Sequence, residues 1–184
     1  AAYQFQSLAP TSLLGGQTLR VTVMEIGPVL TALVIAGRIG ASMAAELGAM
    51  QLTNQVAALR SLSIAPTDFL VVPRVYALML MMPVLIACSN LSAILGAYFV
   101  TSGFIGQSAE VYIESIRQFF RYYDFFIGLF KGLIFGLLIG SIGCYLGLQE
   151  KRSTAAVGRS TIQAFVVSAI AILVADYLLW VIFF

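Results

Sequence analysis

The sequence predicts an all-α integral membrane protein: a bundle of about four transmembrane helices with one further helix lying on the membrane surface. Two observations carry this. Of the 184 residues, 60% are hydrophobic and only 10% are charged, whereas a soluble domain carries about 25% charged residues. The apolar residues also cluster into runs long enough for a helix to cross a hydrocarbon core of roughly 30 Å. A water-soluble chain of this composition would leave apolar surface that only lipid can cover.

The elements follow in order. Ala1 to Leu19 has no basic stretch leading into an apolar one, so it does not read as a signal peptide. There is no initiator Met, and the amino end is read as trimmed or incomplete. Thr18 to Ala36 reads as the first span, with Arg20 at its mouth, Glu25 mid-span and Gly27-Pro28 expected to kink it. Gly40 to Leu62 (GASMAAELGAMQLTNQVAALRSL) reads as a separate surface helix, since its polar residues Glu46, Gln51, Asn54, Gln55 and Arg60 interrupt the apolar pattern. Val75 to Val100 carries no charge and is the second span. Phe125 to Leu148 is the third, with Lys131 near its start, and Thr161 to Phe184 is the fourth, with Asp176 inside it. No internal repeat is visible, so residues 1–184 read as one domain.

Orientation follows from lysine and arginine in the connecting segments. Arg38, Arg60 and Arg74 fall in 37–74, and Lys151, Arg152 and Arg159 fall in 149–160. The loop from Thr101 to Asp124 balances Arg117 and Arg121 against Glu110, Glu114 and Asp124. The two positive segments are therefore expected on the cytoplasmic side.

Few residues offer chemistry. With no histidine, the commonest metal ligand and general base are absent. Cys88 and Cys144 lie in apolar runs and read as small core residues. There is no phosphate-binding loop, no zinc-protease motif and no serine elbow, so no enzyme, cofactor or metal site is expected. The net charge of +2 gives no basis for nucleic-acid binding. Glu25 is the main polar candidate, because an ionisable group inside a membrane costs roughly 2.5–3.5 kcal/mol and faces a cavity or a bundle interior. It reads as a point on a substrate pathway, with Met24 and Pro28 beside it; an alternative is a secondary transporter or ion-coupled channel using Glu25 and Asp176. Asp176, next to Tyr177 and Trp180, reads as a packed structural position. Arg38 and Glu46 are placed to close a salt bridge. Gly128, Gly132, Gly136 and Gly140 recur every four residues and predict a close-packing seam, within the subunit or between subunits.

The runs Glu25-Ile26-Gly27-Pro28, Ala36-Gly37-Arg38-Ile39-Gly40 and Ala45-Glu46-Leu47-Gly48-Ala49-Met50 closely resemble the MlaE-type permeases, which include bacterial lipid-transport permeases and a chloroplast lipid-importer permease. The resemblance continues through Val72-Pro73-Arg74-Val75, Lys131, Phe135-Gly136, Val157-Gly158-Arg159 and Ala175-Asp176. It implies a permease subunit of an ABC-type phospholipid transporter, multi-pass in a bacterial inner membrane or a chloroplast inner envelope. It also implies a second copy of the chain, a cytoplasmic ATPase that binds the ATP, and an MCE-domain lipid-binding protein on the opposite side. The helix over 40–62 would then be the coupling helix, through Arg38, Glu46, Met50, Gln51, Asn54 and Gln55, and Glu25 would line a lipid cavity. Three positions depart from the family pattern: Met24 stands for an arginine, Asn54 for a glutamate, and Ser153 to Ala156 for a glycine-rich loop. The family's upstream interfacial helix and membrane segment are expected to be missing here, with AAYQFQ resembling their tail.

Overall fold

The computed structural model describes residues 20–104, 112–114, 116–117, 122–149 and 153–183. The first 19 residues, Glu110, Arg121, Lys151, Arg152 and Phe184, all invoked above, lie outside the described residues.

Four helices are long and apolar enough to cross a membrane: α1 (Thr22–Leu52), α3 (Thr67–Gly103), α4 (Tyr122–Leu148) and α5 (Thr154–Phe183). A short helix, α2 (Gln55–Ser61), sits between α1 and α3. Among the described residues there is no strand. The all-α, four-span expectation holds.

The boundaries differ from expectation in an instructive way. The chain was expected to end its first span at Ala36 and restart as a surface helix at Gly40. Instead the helix widens into a π turn over Ala36–Gly40 and continues through Ala41–Leu52. Glycine breaks helices by exposing backbone and adding freedom, but here that backbone is pressed against α4: a Cβ on Gly143 would sit 2.9 Å from the Gly40 carbonyl. The break falls at Thr53-Asn54, where Asn54 takes the left-handed conformation (φ 57°) that asparagine tolerates. Only α2 remains as a separate element of the predicted 40–62 helix. Likewise α3 begins at Thr67, through a π turn over Thr67–Val71, and α5 at Thr154, each earlier than their apolar runs suggest.

The centre of the bundle is α4. Its Phe135 and Ile139 join Ala32 and Ala36 of α1, Leu78, Met82 and Ile86 of α3, and Ile172 and Leu179 of α5 in one buried cluster. Apolar side chains such as Leu30, Val34, Leu80, Leu95, Phe126 and Ile170 point outward, as they should in a chain whose solvent is lipid.

Close approach to α4 depends on its glycines, and the seam lies within the subunit. A Cβ at Gly128 would lie 3.0 Å from the Val23 carbonyl, at Gly132 2.7 Å from Ile86 and 3.3 Å from the Pro83 backbone, and at Gly136 2.7 Å from the Leu78 carbonyl. Gly140 meets Val75. The stripe runs further than the four expected glycines: Gly143 rests on Gly40 and Gly147 on Ala44 and Leu47. In lipid, where helices gain nothing from hydrophobic drive against one another, such backbone contact is a main source of association.

Polar ties collect at the end bearing α2. The Gln51 amide donates to the Leu148 carbonyl at 2.6 Å, satisfying one of the orphan acceptors at the end of α4. Arg74 Nη1 lies 3.1 Å from Glu46 Oε2. Gly48 packs against Val157. The two positively charged segments therefore share one end of the bundle, as the lysine and arginine distribution requires.

A leucine at Gly136 would drive a side chain into the α3 backbone. Gly136→Leu should lower stability in detergent by at least about 1–3 kcal/mol, while Gly158→Leu, with nothing within 4 Å of its Cβ position, should leave the melting temperature close to that of the parent chain. Equal melting of the two variants would show that the stripe does not pack internally.

Candidate functional site

Among the largest fully buried side chains in the described residues is a lysine. Lys131 projects from the seam face of α4 between Gly128 and Gly132, whose missing side chains let α1 and α3 close around it. Its Nζ lies 2.8 Å from Glu25 Oε1 of α1 and 2.8 Å from Asp176 Oδ1 of α5, and it donates a hydrogen bond to each. One ammonium thus joins three of the four spans. Taking any of these ions out of water costs several kcal/mol, which short, charge-assisted pairing offsets only when the geometry is good. With all three groups ionised the cluster carries a net charge of −1.

Burial is graded. The Lys131 side chain is 1% exposed, Asp176 19% and Glu25 30%. The cation is wholly enclosed, and Glu25 is the most exposed side chain of the three.

A second ion pair lies seven residues earlier on the same face of α4. Arg20 Nε is 2.6 Å from Asp124 Oδ2, and Asp124 is buried in the first turn of α4, where the helix dipole favours a carboxylate. Two bridges of opposite polarity, Arg20–Asp124 and Glu25–Lys131, therefore tie α1 to α4.

Against expectation, Met24 and Pro28 are packed inside the bundle, so Glu25 alone of that trio keeps an opening. Its partner, expected from another helix, water or lipid, is Lys131. Asp176 is paired with Lys131, while Tyr177 and Trp180, expected to pack around it, point outward. Arg38 and Glu46 do not pair: eight residues span about 12 Å of helix, Arg38 is exposed, and Glu46 meets Arg74 instead. That pair is mostly exposed on the Glu46 side and contributes little. Cys144 is buried as expected, while Cys88 is exposed on the outer face of α3.

The residues assigned to coupling separate into three kinds. Gln51 is used internally by its bond to Leu148. Asn54 makes the left-handed turn and is exposed, with Arg38 and Gln55 also exposed. Met50 and Gln55 border an apolar groove whose other walls are Val56, Leu59, Leu62 and Phe69. That groove, and the role of Lys131, were not foreseen from the sequence. A lone lysine well inside an apolar span, flanked by glycines, was the available signal for the second. Among the described residues no cluster of His, Cys, Asp and Glu has the makings of a metal site.

A family model described as Permease MlaE matches residues 1–182. The chain belongs to the MlaE permease family. It is 39% identical over 183 residues to a probable ABC transporter permease of Synechocystis, covering 99% of this chain and 70% of that protein. A probable ABC transporter permease of Rickettsia prowazekii is 40% identical over 160 residues, 87% of this chain and 62% of its own length. The chloroplastic protein TRIGALACTOSYLDIACYLGLYCEROL 1 of Arabidopsis thaliana is 33% identical over 181 residues, 98% of this chain and 52% of its own length. The chain thus spans roughly half to two thirds of the length of several of these relatives. It is a multi-pass membrane protein of a permease family.

Removing Lys131 strands two carboxylates in the bundle, whereas removing Glu25 leaves a neutral Lys131–Asp176 pair. Lys131→Met should cost about 3–5 kcal/mol and Glu25→Gln distinctly less, read as thermal melting in detergent. Lys131→Met melting no lower than Glu25→Gln would show that the triad is not the anchor described.

Proposed function

We propose that this MlaE-family chain forms the phospholipid pathway of an ABC-type transporter, with Glu25 at the wall of that pathway and ATP hydrolysed on a separate cytoplasmic subunit. The carrying observation is the graded triad: a carboxylate near the start of α1 is anchored from within by Lys131 yet remains partly open, so the polar group is presented to the bundle surface rather than hidden. A lipid headgroup needs such a polar foothold within a hydrocarbon slab. The names of the relatives support the reading, since two are probable ABC transporter permeases and the Arabidopsis protein is named for a galactolipid. The chain itself is proposed to be non-catalytic and to bind no cofactor. Its partners would be a second copy, the ATPase, and an MCE-domain protein on the far side. The membrane would be a bacterial inner membrane or a chloroplast inner envelope.

The α2 end is the proposed docking face. It carries Arg60, Arg74 and Arg159, which the positive-inside rule places in the cytoplasm. It also carries the groove bordered by Met50, Gln55, Leu59, Leu62 and Phe69, an apolar slot of the kind a partner side chain fills. The alternative of an ion-coupled transporter using Glu25 and Asp176 is weakened by Lys131, which already engages both carboxylates.

Two experiments test the reading. A photoreactive residue at Val29, one turn from Glu25 on the same side of α1, should capture phospholipid in native membranes; capture of protein neighbours alone would remove the lipid path. Leu62→Asp sets a charge against the apolar groove and should weaken ATPase co-purification by about tenfold or more. Undiminished ATPase recovery would move the docking face elsewhere.

A further inference from the structure

The helix that carries Glu25 is irregular where it carries it. Over Thr22–Ile26 it forms a π turn, in which the Gly27 N–H donates to the Thr22 carbonyl five residues back. The next donor in that register would be residue 28, serving the Val23 carbonyl. Residue 28 is proline and has no N–H. Val23 is buried, and its carbonyl faces Gly128 of α4, away from water. In a membrane interior such an acceptor must find a donor within the protein.

The donor present is a side chain of a different helix. Asn90 of α3 is 3% exposed, and its Nδ2 donates to the Val23 carbonyl at 3.4 Å. The amide reaches this place only because residue 27 is glycine: a Cβ there would overlap Asn90 Oδ1. That oxygen is itself buried without a hydrogen-bond partner. Packing alone does not explain such a residue, because an apolar side chain of the same size would fill the space with no unpaired atom. Its contribution is the bond to Val23.

We infer that Asn90 is a positioning residue for Glu25: its side-chain amide stands in for the N–H that Pro28 lacks and so holds the π turn that aims the carboxylate at Lys131. A π turn inserts one residue into the helical register, and one residue corresponds to about 100° of rotation. If the turn relaxes to α-helical register, Glu25 swings away from Lys131 while the rest of α1 keeps its packing. The inference rests on Glu25 being the group that matters in the pathway, but it makes no use of lipid or transport in its test.

The test is a double-variant cycle on the full chain purified in detergent, read by carbodiimide modification of Glu25 and by melting temperature. Asn90→Leu removes the donor and keeps the branching and number of side-chain heavy atoms; Pro28→Ala returns a backbone N–H to α1. Asn90→Leu alone should raise Glu25 modification several-fold and lower the melting temperature by several degrees. In the Pro28→Ala background the same change should move neither reading appreciably, because the backbone can then close its own hydrogen bond. Unchanged Glu25 modification in Asn90→Leu overturns the proposal, as do effects of Asn90→Leu and Pro28→Ala that simply add. Where Asn90→Leu yields no folded chain, recovery of folding in the double variant supports the pairing and continued failure overturns it. These outcomes are separable from those at Val29: loss of lipid capture there removes the lipid pathway and leaves the Asn90–Pro28 relation standing, and additivity here does the reverse.

Discussion

The bundle turns on one buried ammonium. Lys131 draws together a carboxylate from α1 and another from α5, each at 2.8 Å, in a medium where helices have no hydrophobic reason to associate. Charge attraction is strong there because the local dielectric is low, and for the same reason an unpaired member would be costly. The glycines on either side of Lys131 are part of the same device. Gly128 admits the Val23 backbone and Gly132 admits Ile86 and Pro83, which brings α1 and α3 close enough to seal the lysine from solvent. Bulkier residues at those positions would hold the helices apart and leave the ammonium open.

Much of the architecture was legible in the chain, and the reason is the bilayer itself. Long apolar runs have one comfortable conformation in lipid, so four spans could be counted without knowing how they pack. The misplaced boundary at 36–40 came from reading the polar residues between Glu46 and Arg60 as the mark of a separate surface helix. The helix instead runs on through Gly40, whose backbone packs against Gly143 of α4. Asn54, which does mark the break, carried the signal of a residue tolerant of left-handed backbone, but its amide was read as part of a docking face.

The candidate site was legible by halves. Glu25 and Asp176 stand out in sequence because intramembrane carboxylates are expensive, and both proved to be paired. Which cation pairs them depends on α1, α4 and α5 meeting at one level, a fact of tertiary packing that separations of 106 and 45 residues do not reveal. The Arg38–Glu46 expectation failed for a related reason: proximity in sequence suggested a bridge, whereas α3 placed Arg74 nearer.

The charge balance of the triad dictates which of its bonds is expendable. With two carboxylates on one lysine, separating either carboxylate leaves a neutral pair behind, and separating the lysine leaves two anions facing each other. Releasing α1 or α5 therefore strands one carboxylate, whereas releasing α4 strands the lysine and both carboxylates, so α4 is the helix least able to leave the centre. Of the other two, α1 is the strand of the knot with slack: it carries π turns at Thr22–Ile26 and Ala36–Gly40, where the helical register is already loosened. It is held near its ends, by Arg20 to Asp124 and by Gln51 to Leu148. Glu25 is also the most exposed member of the triad. Exposure, irregular backbone and expendable pairing thus converge on the same residue, and this convergence, more than the presence of a charge in the membrane, singles out Glu25 on the physical grounds of this structure.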